Sequence, residues 1–387
     1  MKKKKLRILF PYVEAGVGHI MPMKSFADEF RKQHGDEFEI IECDFFKDSK
    51  DEDLLNYEKW FTQNVVRFAK HPKYGYFVNF WDKFFSVGVA SWFMMDMTHH
   101  KAYKKSLELM NKLYKPDIVF STHWATNYYA KHCDLNPITI MYCPDCEFNH
   151  VFSYPCDLAL ISTEVGYKKA LKMKKRFNED NLKIAPFLIR NEAFEISQDK
   201  FENRRLLGLP EDNFTLCFME GGYGVGKMEP ICKKLIKENK KFTVIACCGK
   251  NQKLYEEFKT LEVNPNVTFV PLPMTNDVLK YIAASDLFVG TGGNSIAEPT
   301  FFGHASIVST TATTIEQQIA RFYCEDVKSC QLCTNENKIY ELIFKYIDNP
   351  ELLKPYEENA KKDHARYGAP GCVEIVYKKI KELTKNK

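Results

Sequence analysis

Several short stretches of this 387-residue chain set glycine beside groups that can bind or move charge. The first is VEAGVGHIMP (residues 13–22), where Gly16, Val17 and Gly18 lead into His19 behind the apolar run LRILFPY. A histidine at that place can take a proton near neutral pH, or donate from its neutral ring. Glu14, at the end of the run, could orient and polarise it. The same residues read equally as a tight turn with a helix-capping histidine and a solvated glutamate. The third glycine of a dinucleotide fingerprint is missing, and no acid follows in register at a second strand end, so a dehydrogenase fits poorly.

Further along, GGYGVGK (221–227) sits between an apolar run and a helical stretch. Gly221, Gly222, Gly224 and Gly226 would let backbone amides approach a diphosphate at a helix start. The spacing is not that of a Walker A loop, and no Ser or Thr follows the lysine. CGKN places Gly249, Lys250 and Asn251 at the next strand end. GTGGNSIAE (290–298) offers the amides of Gly292, Gly293, Asn294 and Ser295 for a second face of the diphosphate, with Glu298 to accept ribose hydroxyls. Glu316, Gln317 and Gln318 open another helix and suit sugar hydroxyls. Each signal is modest alone; the set in this order is strong.

These residues need a scaffold that delivers strand ends to one edge. Eleven apolar runs alternate with amphipathic stretches: LRILFPYV, FEIIECDFF, PDIVFST, PITIMYC, DLALIST, NLKIAPFLI, FTLCFME, FTVIACCG, NVTFVPLP, DLFVGTGG and ASIVSTT. That rhythm predicts repeated βα units and mostly parallel sheets, about six strands in the first half and five in the second. The pattern dissolves at 191–213, which reads as a linker. An aromatic-rich segment from about 54 to 100 interrupts the first half. It interleaves Trp60, Trp92 and many Phe and Tyr with Lys and Arg, the composition of a surface resting on lipid head groups or of a packed helical layer.

Composition sets the class. Hydrophobic residues make up 45% and charged residues 27%, a globular balance, and a net charge of +4 does not point to nucleic acid. The leading MKKKK has the charge of a signal n-region, but the apolar run after it is too short for an h-region. No run of about 18 apolar residues is present to span a bilayer. Thirteen cysteines suggest reduced thiols in a cytoplasm. Cys143/Cys146 and Cys330/Cys333 have zinc-site spacing, but read first as buried cysteine on different domains.

Together these motifs resemble the GT-B glycosyltransferases related to the diacylglycerol glycolipid synthases and the lipid II-forming N-acetylglucosaminyltransferase. EAGVGHIMP is similar to their acceptor loop, GGYGVGK to their glycine loop, GTGGNSIAEPTFFGHASIVS to their donor segment, and EQQIARFY to the stretch closing the donor pocket. PDIVFSTH and MYCPDCEFNH resemble strand ends lining the acceptor side, with His123 and His150. The resemblance implies an α/β fold of two doubly wound Rossmann-like domains facing an interdomain cleft. It implies an acceptor domain over 1–190 with a helical insert at about 54–110, a hinge at 191–213, a UDP-sugar domain over 214–366, and a helix over 367–387 crossing back to the first domain.

It also implies roles. His19, helped by Glu14 or Asp145, would stand nearest the acceptor hydroxyl, with Gly16, Val17, Gly18, Trp60, Trp92, His123 and His150 around the acceptor. The glycine loops would face the diphosphate, Glu298 the ribose, Leu272, Met274 and Thr275 the uracil, and Glu316 to Gln318 the donor sugar. No cofactor is implied beyond the UDP-sugar co-substrate, and no metal; Asp51 and Asp53 sit in a polar loop, and helix amides would do the metal's work. The expected partners are the UDP-sugar, a lipid acceptor (diacylglycerol) and a membrane surface met peripherally on its cytoplasmic face. The expected reaction is an inverting hexosyl transfer. Gly290 and Thr291 stand where the lipid synthases carry Lys-Pro, and Ile319 replaces an asparagine. A UDP-sugar 2-epimerase of the same fold and a non-catalytic sugar-nucleotide or lipid binder are the competing readings.

Overall fold

The computed structural model of the protein describes residues 5–14, 17–70, 91–128, 135–173, 176–221 and 226–385. Its contacts divide the chain into two units. One comprises Met1–Asn191, Thr313–Ile315 and Arg366–Lys387, the other Glu192–Ala312 and Glu316–Ala365.

The first unit runs β1 (Leu6–Tyr12), α1 (Val17–His34), β2 (Phe38–Asp44), α2 (Glu52–Lys70), α3 (Ser91–Tyr114), β3 (Ile118–Ser121), α4 (Trp124–Tyr128), β4 (Ile138–Cys143), β5 (Leu158–Ile161), α5 (Glu164–Leu171) and β6 (Leu182–Ile184). The strands form one sheet in the order β2-β1-β3-β4-β5-β6, every pairing parallel. Helices cover both faces, which is why the strands read as unbroken apolar runs. Alternate residues part company: Ile8, Phe10 and Phe120 pack under α1, while Leu9 and Val119 join Leu54, Tyr103 and Met110 of α2 and α3.

The second unit begins with α6 (Lys200–Leu207). It continues β7 (Phe214–Met219), α7 (Met228–Leu235), β8 (Phe242–Gly249), α8 (Gln252–Lys259), β9 (Val267–Pro273), α9 (Val278–Ala283), β10 (Leu287–Thr291), α10 (Ala297–Phe301), β11 (Ala305–Thr310), α11 (Thr314–Arg321), β12 (Cys330–Leu332), α12 (Glu336–Asp348) and α13 (Lys354–Asp363). The sheet order is β12-β11-β10-β7-β8-β9, again parallel throughout. The chain then returns to the first unit as α14 (Ala369–Lys385). Cys372, Val373, Val376 and Ile380, spaced to share one helical face, join the same core as Ile8 and Phe120.

All eleven apolar runs fold as strands, β1 to β11. The twelfth strand, Cys330–Leu332, is only three residues long and half exposed, and its composition gives it no signal. The segment 191–213 is not an open linker. Asp199 caps α6 by accepting from Phe201 N, and the buried Arg204 guanidinium bonds Ala284 O at 2.9 Å, Glu211 O at 2.7 Å and Asp286 Oδ2 at 2.5 Å. Its polarity, which read as solvated chain, serves a buried clasp onto the second unit's own sheet.

Candidate functional site

In an open parallel sheet, ligands gather at the C-terminal ends of strands where the strand order reverses. In the first sheet that point lies between β1 and β3, in the second between β7 and β10. VEAGVGH follows β1 and THW follows β3; GGYGVGK follows β7 and GGNS follows β10. Chemistry-bearing residues therefore sit at the reversal point of each sheet.

In the first unit, Val17, Gly18 and His19 form the first turn of α1. Thr122, just past β3, donates from Oγ1 to the His19 carbonyl at 2.7 Å and fixes this turn to the next strand end. The His19 and His123 rings meet edge to face, with centroids 4.8 Å apart and planes at 89°. His123 Nδ1 accepts from Ala125 N at 3.2 Å, so His123 caps α4 and keeps its proton on Nε2. Ser121 and Thr126 hydroxyls both donate to the His123 carbonyl, at 2.8 and 2.9 Å. His19 Nδ1 is buried with no partner. Burial pushes the His19 ring down to about 4, and burial, then His19 itself, holds His123 well below the usual imidazole range. Both rings are neutral at pH 7.

The expected Glu14–His19 pairing is replaced by another. Glu14 binds Lys47 Nζ at 2.5 Å, and Lys47 also faces Glu58 at 3.3 Å and Asp44 at 3.7 Å. The strand-end glutamate is drawn to the cation carried past β2. Among the described residues, Glu14, Asp44 and Glu58 are the group whose oxygens lie close enough to share a metal ion, and Lys47 supplies a positive charge there. Asp51 and Asp53 both bind Lys105, at 2.7 and 2.8 Å, which ties the start of α2 to α3. Asp145 is buried on the loop after β4; His150, half-buried, starts a short helical turn there, its ring pushed down by burial and then by Lys169 and Arg176. Cys143 and Cys146 are buried in this unit, whereas Cys330 and Cys333 belong to the other. Trp60 is 54% exposed on α2. Gly16, the side chain of Val17 and the side chains of 64–92, Trp92 among them, lie outside the described residues.

In the second unit, Gly221 turns the chain out of β7 with φ +65° and Gly249 does the same after β8 with φ +58°. Gly222 and Gly224 lie outside the described residues. Sequence reasoning missed Glu220. This buried carboxylate accepts from Met228 N at 2.7 Å and from Ser309 Oγ at 2.8 Å, while a Cβ at Gly226 would stand 2.2 Å from its Oε2. The start of α7 thus already holds an internal anion, and Gly226 exists to let it in. A glutamate at a strand end reads as solvated, so nothing in the sequence marked it. Lys227 turns inward too, donating to Ser309 O at 2.6 Å.

After β10 the Gly292 amide, expected to face the diphosphate, instead donates to Thr310 O at 2.8 Å. A Cβ at Gly292 would meet Glu316 O and Thr311 Cγ2 at 2.8 Å, so this glycine admits the first turn of α11; a Cβ at Gly293 would make only an ordinary contact with Thr291 Oγ1 at 3.9 Å. Asn294 Oδ1 is buried without a partner. Ser295 follows it, and Glu298 stands partly buried in the first turn of α10. Other expected ligands have local duties. Asn251 caps α8 through Leu254 N, Glu316 accepts from Ala312 N, and the Thr275 hydroxyl accepts from Asp277 N. Gln317 and Met274 are exposed, Gln318 partly so, Leu272 is buried in β9, and Lys250 lies exposed at the end of β8. Ile319, in the asparagine's place, is a core residue.

No family model matches the chain. It is 25% identical over 230 residues, 57% of its own length, to a Thermoanaerobacter protein named UDP-N-acetylglucosamine–N-acetylmuramyl-(pentapeptide) pyrophosphoryl-undecaprenol N-acetylglucosamine transferase. The match spans 61% of that relative. Among solved structures, MurG of Acinetobacter baumannii superposes with a TM-score of 0.57 at 14% identity, over 97% of this chain and 100% of that one. The UDP-GlcNAc 2-epimerase from Neisseria meningitidis, bound to UDP-GlcNAc, gives 0.56 at 12% identity, over 98% and 100%. Two doubly wound units, six parallel strands each, define a GT-B fold. Within that class, the sequence relationship is to the lipid II-forming N-acetylglucosaminyltransferases.

Proposed function

We propose that this chain transfers a hexose from a UDP-sugar to a hydroxyl of a lipid acceptor, diacylglycerol, with inversion to a β-glycoside. The observation that carries this reading is the pair of reversal points, one bearing neutral imidazoles and the other a glycine turn with the buried, unpartnered Asn294 Oδ1. The acceptor oxygen attacks the anomeric carbon as the bond to the diphosphate breaks. His19 takes the acceptor proton, and a ring neutral at pH 7 is in the correct form to do so. Its depressed basicity makes it a reluctant base, which the negative charge developing on the departing diphosphate would offset. Amides of Gly293, Asn294 and Ser295 take up the charge of departing UDP without a divalent metal. Glu220 already occupies the other helix start.

The lipid side rests on the helices of the first unit. Trp60, Phe93 and Met97 are 54%, 58% and 65% exposed on α2 and α3, suited to a head-group layer on the cytoplasmic membrane face. No helix among the described residues is long and apolar enough to cross a membrane. The test is UDP release from a panel of UDP-sugars, with and without diacylglycerol-containing vesicles. Vesicle-dependent release with a β-glycolipid product is expected. Formation of the C2 epimer of UDP-N-acetylglucosamine without an acceptor would make the chain an epimerase, and tight UDP binding with no turnover would make it a binding protein.

A further inference from the structure

Asn127, on α4, is 2% exposed, yet neither its amide oxygen nor its amide nitrogen has a hydrogen-bond partner. Leaving such a group unpaired in a protein interior is unfavourable, and native folds keep few of them without a reason. Its position supplies one. Asn127 N donates to the His123 carbonyl at 3.2 Å, so the two residues stand one helical turn apart. His123 packs edge to face on His19, whose Nδ1 is also buried and unpartnered.

The elements that meet at the reversal point of the first sheet, α1 and α4, thus carry an amide oxygen, an amide NH2 and a ring nitrogen that are buried and unpartnered, all from neutral groups. A hydroxyl both donates and accepts and can satisfy such a set. A phosphate only accepts, and it would bring an unpaired charge to a buried region of neutral groups. Building on the transferase reading above, we propose that Asn127 is an acceptor-binding residue whose amide holds a hydroxyl of an uncharged, glycerol-type head group beside His19.

Two variants test it in the full-length protein. Asn127→Leu keeps the volume and removes both polar ends; Asn127→Asp keeps the shape and removes the N–H donors. Each is followed by melting temperature, UDP affinity and calorimetric affinity for 1,2-dihexanoylglycerol. Asn127→Leu is expected to melt at or above the wild-type temperature, to bind UDP unchanged, and to bind dihexanoylglycerol about ten-fold more weakly or worse. Asn127→Asp is expected to lose dihexanoylglycerol affinity as well. Lower melting with unchanged dihexanoylglycerol affinity would make the amide a structural group and overturn the proposal. So would a wild type that ignores dihexanoylglycerol, or one that binds inorganic pyrophosphate through Asn127. Failure of the transferase reading looks different: dihexanoylglycerol binding still depends on Asn127, but no UDP is released from any UDP-sugar.

Discussion

Burial sets the behaviour of single residues here more than charge does. His19, His99 and His304 are each pushed down to about 4 by burial, and His123 falls with them. An unfolded histidine titrates near 6.5, so between roughly pH 6.5 and 4 the unfolded chain binds protons that the folded chain refuses. Stability is therefore full above that window and falls as pH drops through it. Thermal melts at pH 7.5, 6, 5 and 4 should show this decline, and His304→Gln should make it shallower. On activity, His19→Ala should lower acceptor-dependent turnover by about 100-fold or more while leaving UDP affinity intact. Fluorescence titration with UDP beside a turnover assay separates the two. The place of His19 in the turn after β1 was legible because glycines announce it. Glu220, Thr122 and Asn127 were not, since a strand-end glutamate, a threonine and a helical asparagine take their meaning only from neighbours distant in sequence.

Two elements carry the next scale. The loop from β10 into α10 depends on a glycine that cannot grow, because a methyl group at Gly292 would press on the backbone of Glu316 and on Thr311. Gly292→Ala should cost about 1–3 kcal/mol by overpacking, and should weaken UDP binding by moving the adjoining amides; Gly293→Ala, which has room, should cost far less stability. Urea unfolding and UDP titration of the pair check this. Helix α6 depends on Arg204, whose loss would leave Asp286 with Lys200 and Thr215 N but take the donor from the Ala284 and Glu211 carbonyls. Arg204→Ala should destabilise by about 1–3 kcal/mol, the cost of buried acceptors left unpaired. The sequence showed the strands because parallel strands covered on both faces are written as apolar runs. It hid α6 because a helix fastened by arginine, aspartate and carbonyls looks the same as a solvated tether.

At the scale of the whole molecule, the first unit is assembled from both ends of the described chain. Val373, Val376 and Ile380 of α14 lie in one core with Ile8, Phe26 and Phe120. Ile380→Ala should cost about 2–5 kcal/mol, read from chemical denaturation. A chain stopped at residue 366 should keep the second unit's sheet while the first loses fixed tertiary structure, visible as a loss of near-ultraviolet dichroism and a gain in dye binding. The same arrangement governs how the protein is made. A ribosome delivers β1 to β6 early, but the apolar face that α14 covers stays bare until residues 372–380 emerge. Every segment of the second unit is finished by residue 365. The usual order, in which the N-terminal domain folds first during synthesis, is therefore reversed: the half translated earliest waits longest and presents its uncovered sheet to chaperones throughout.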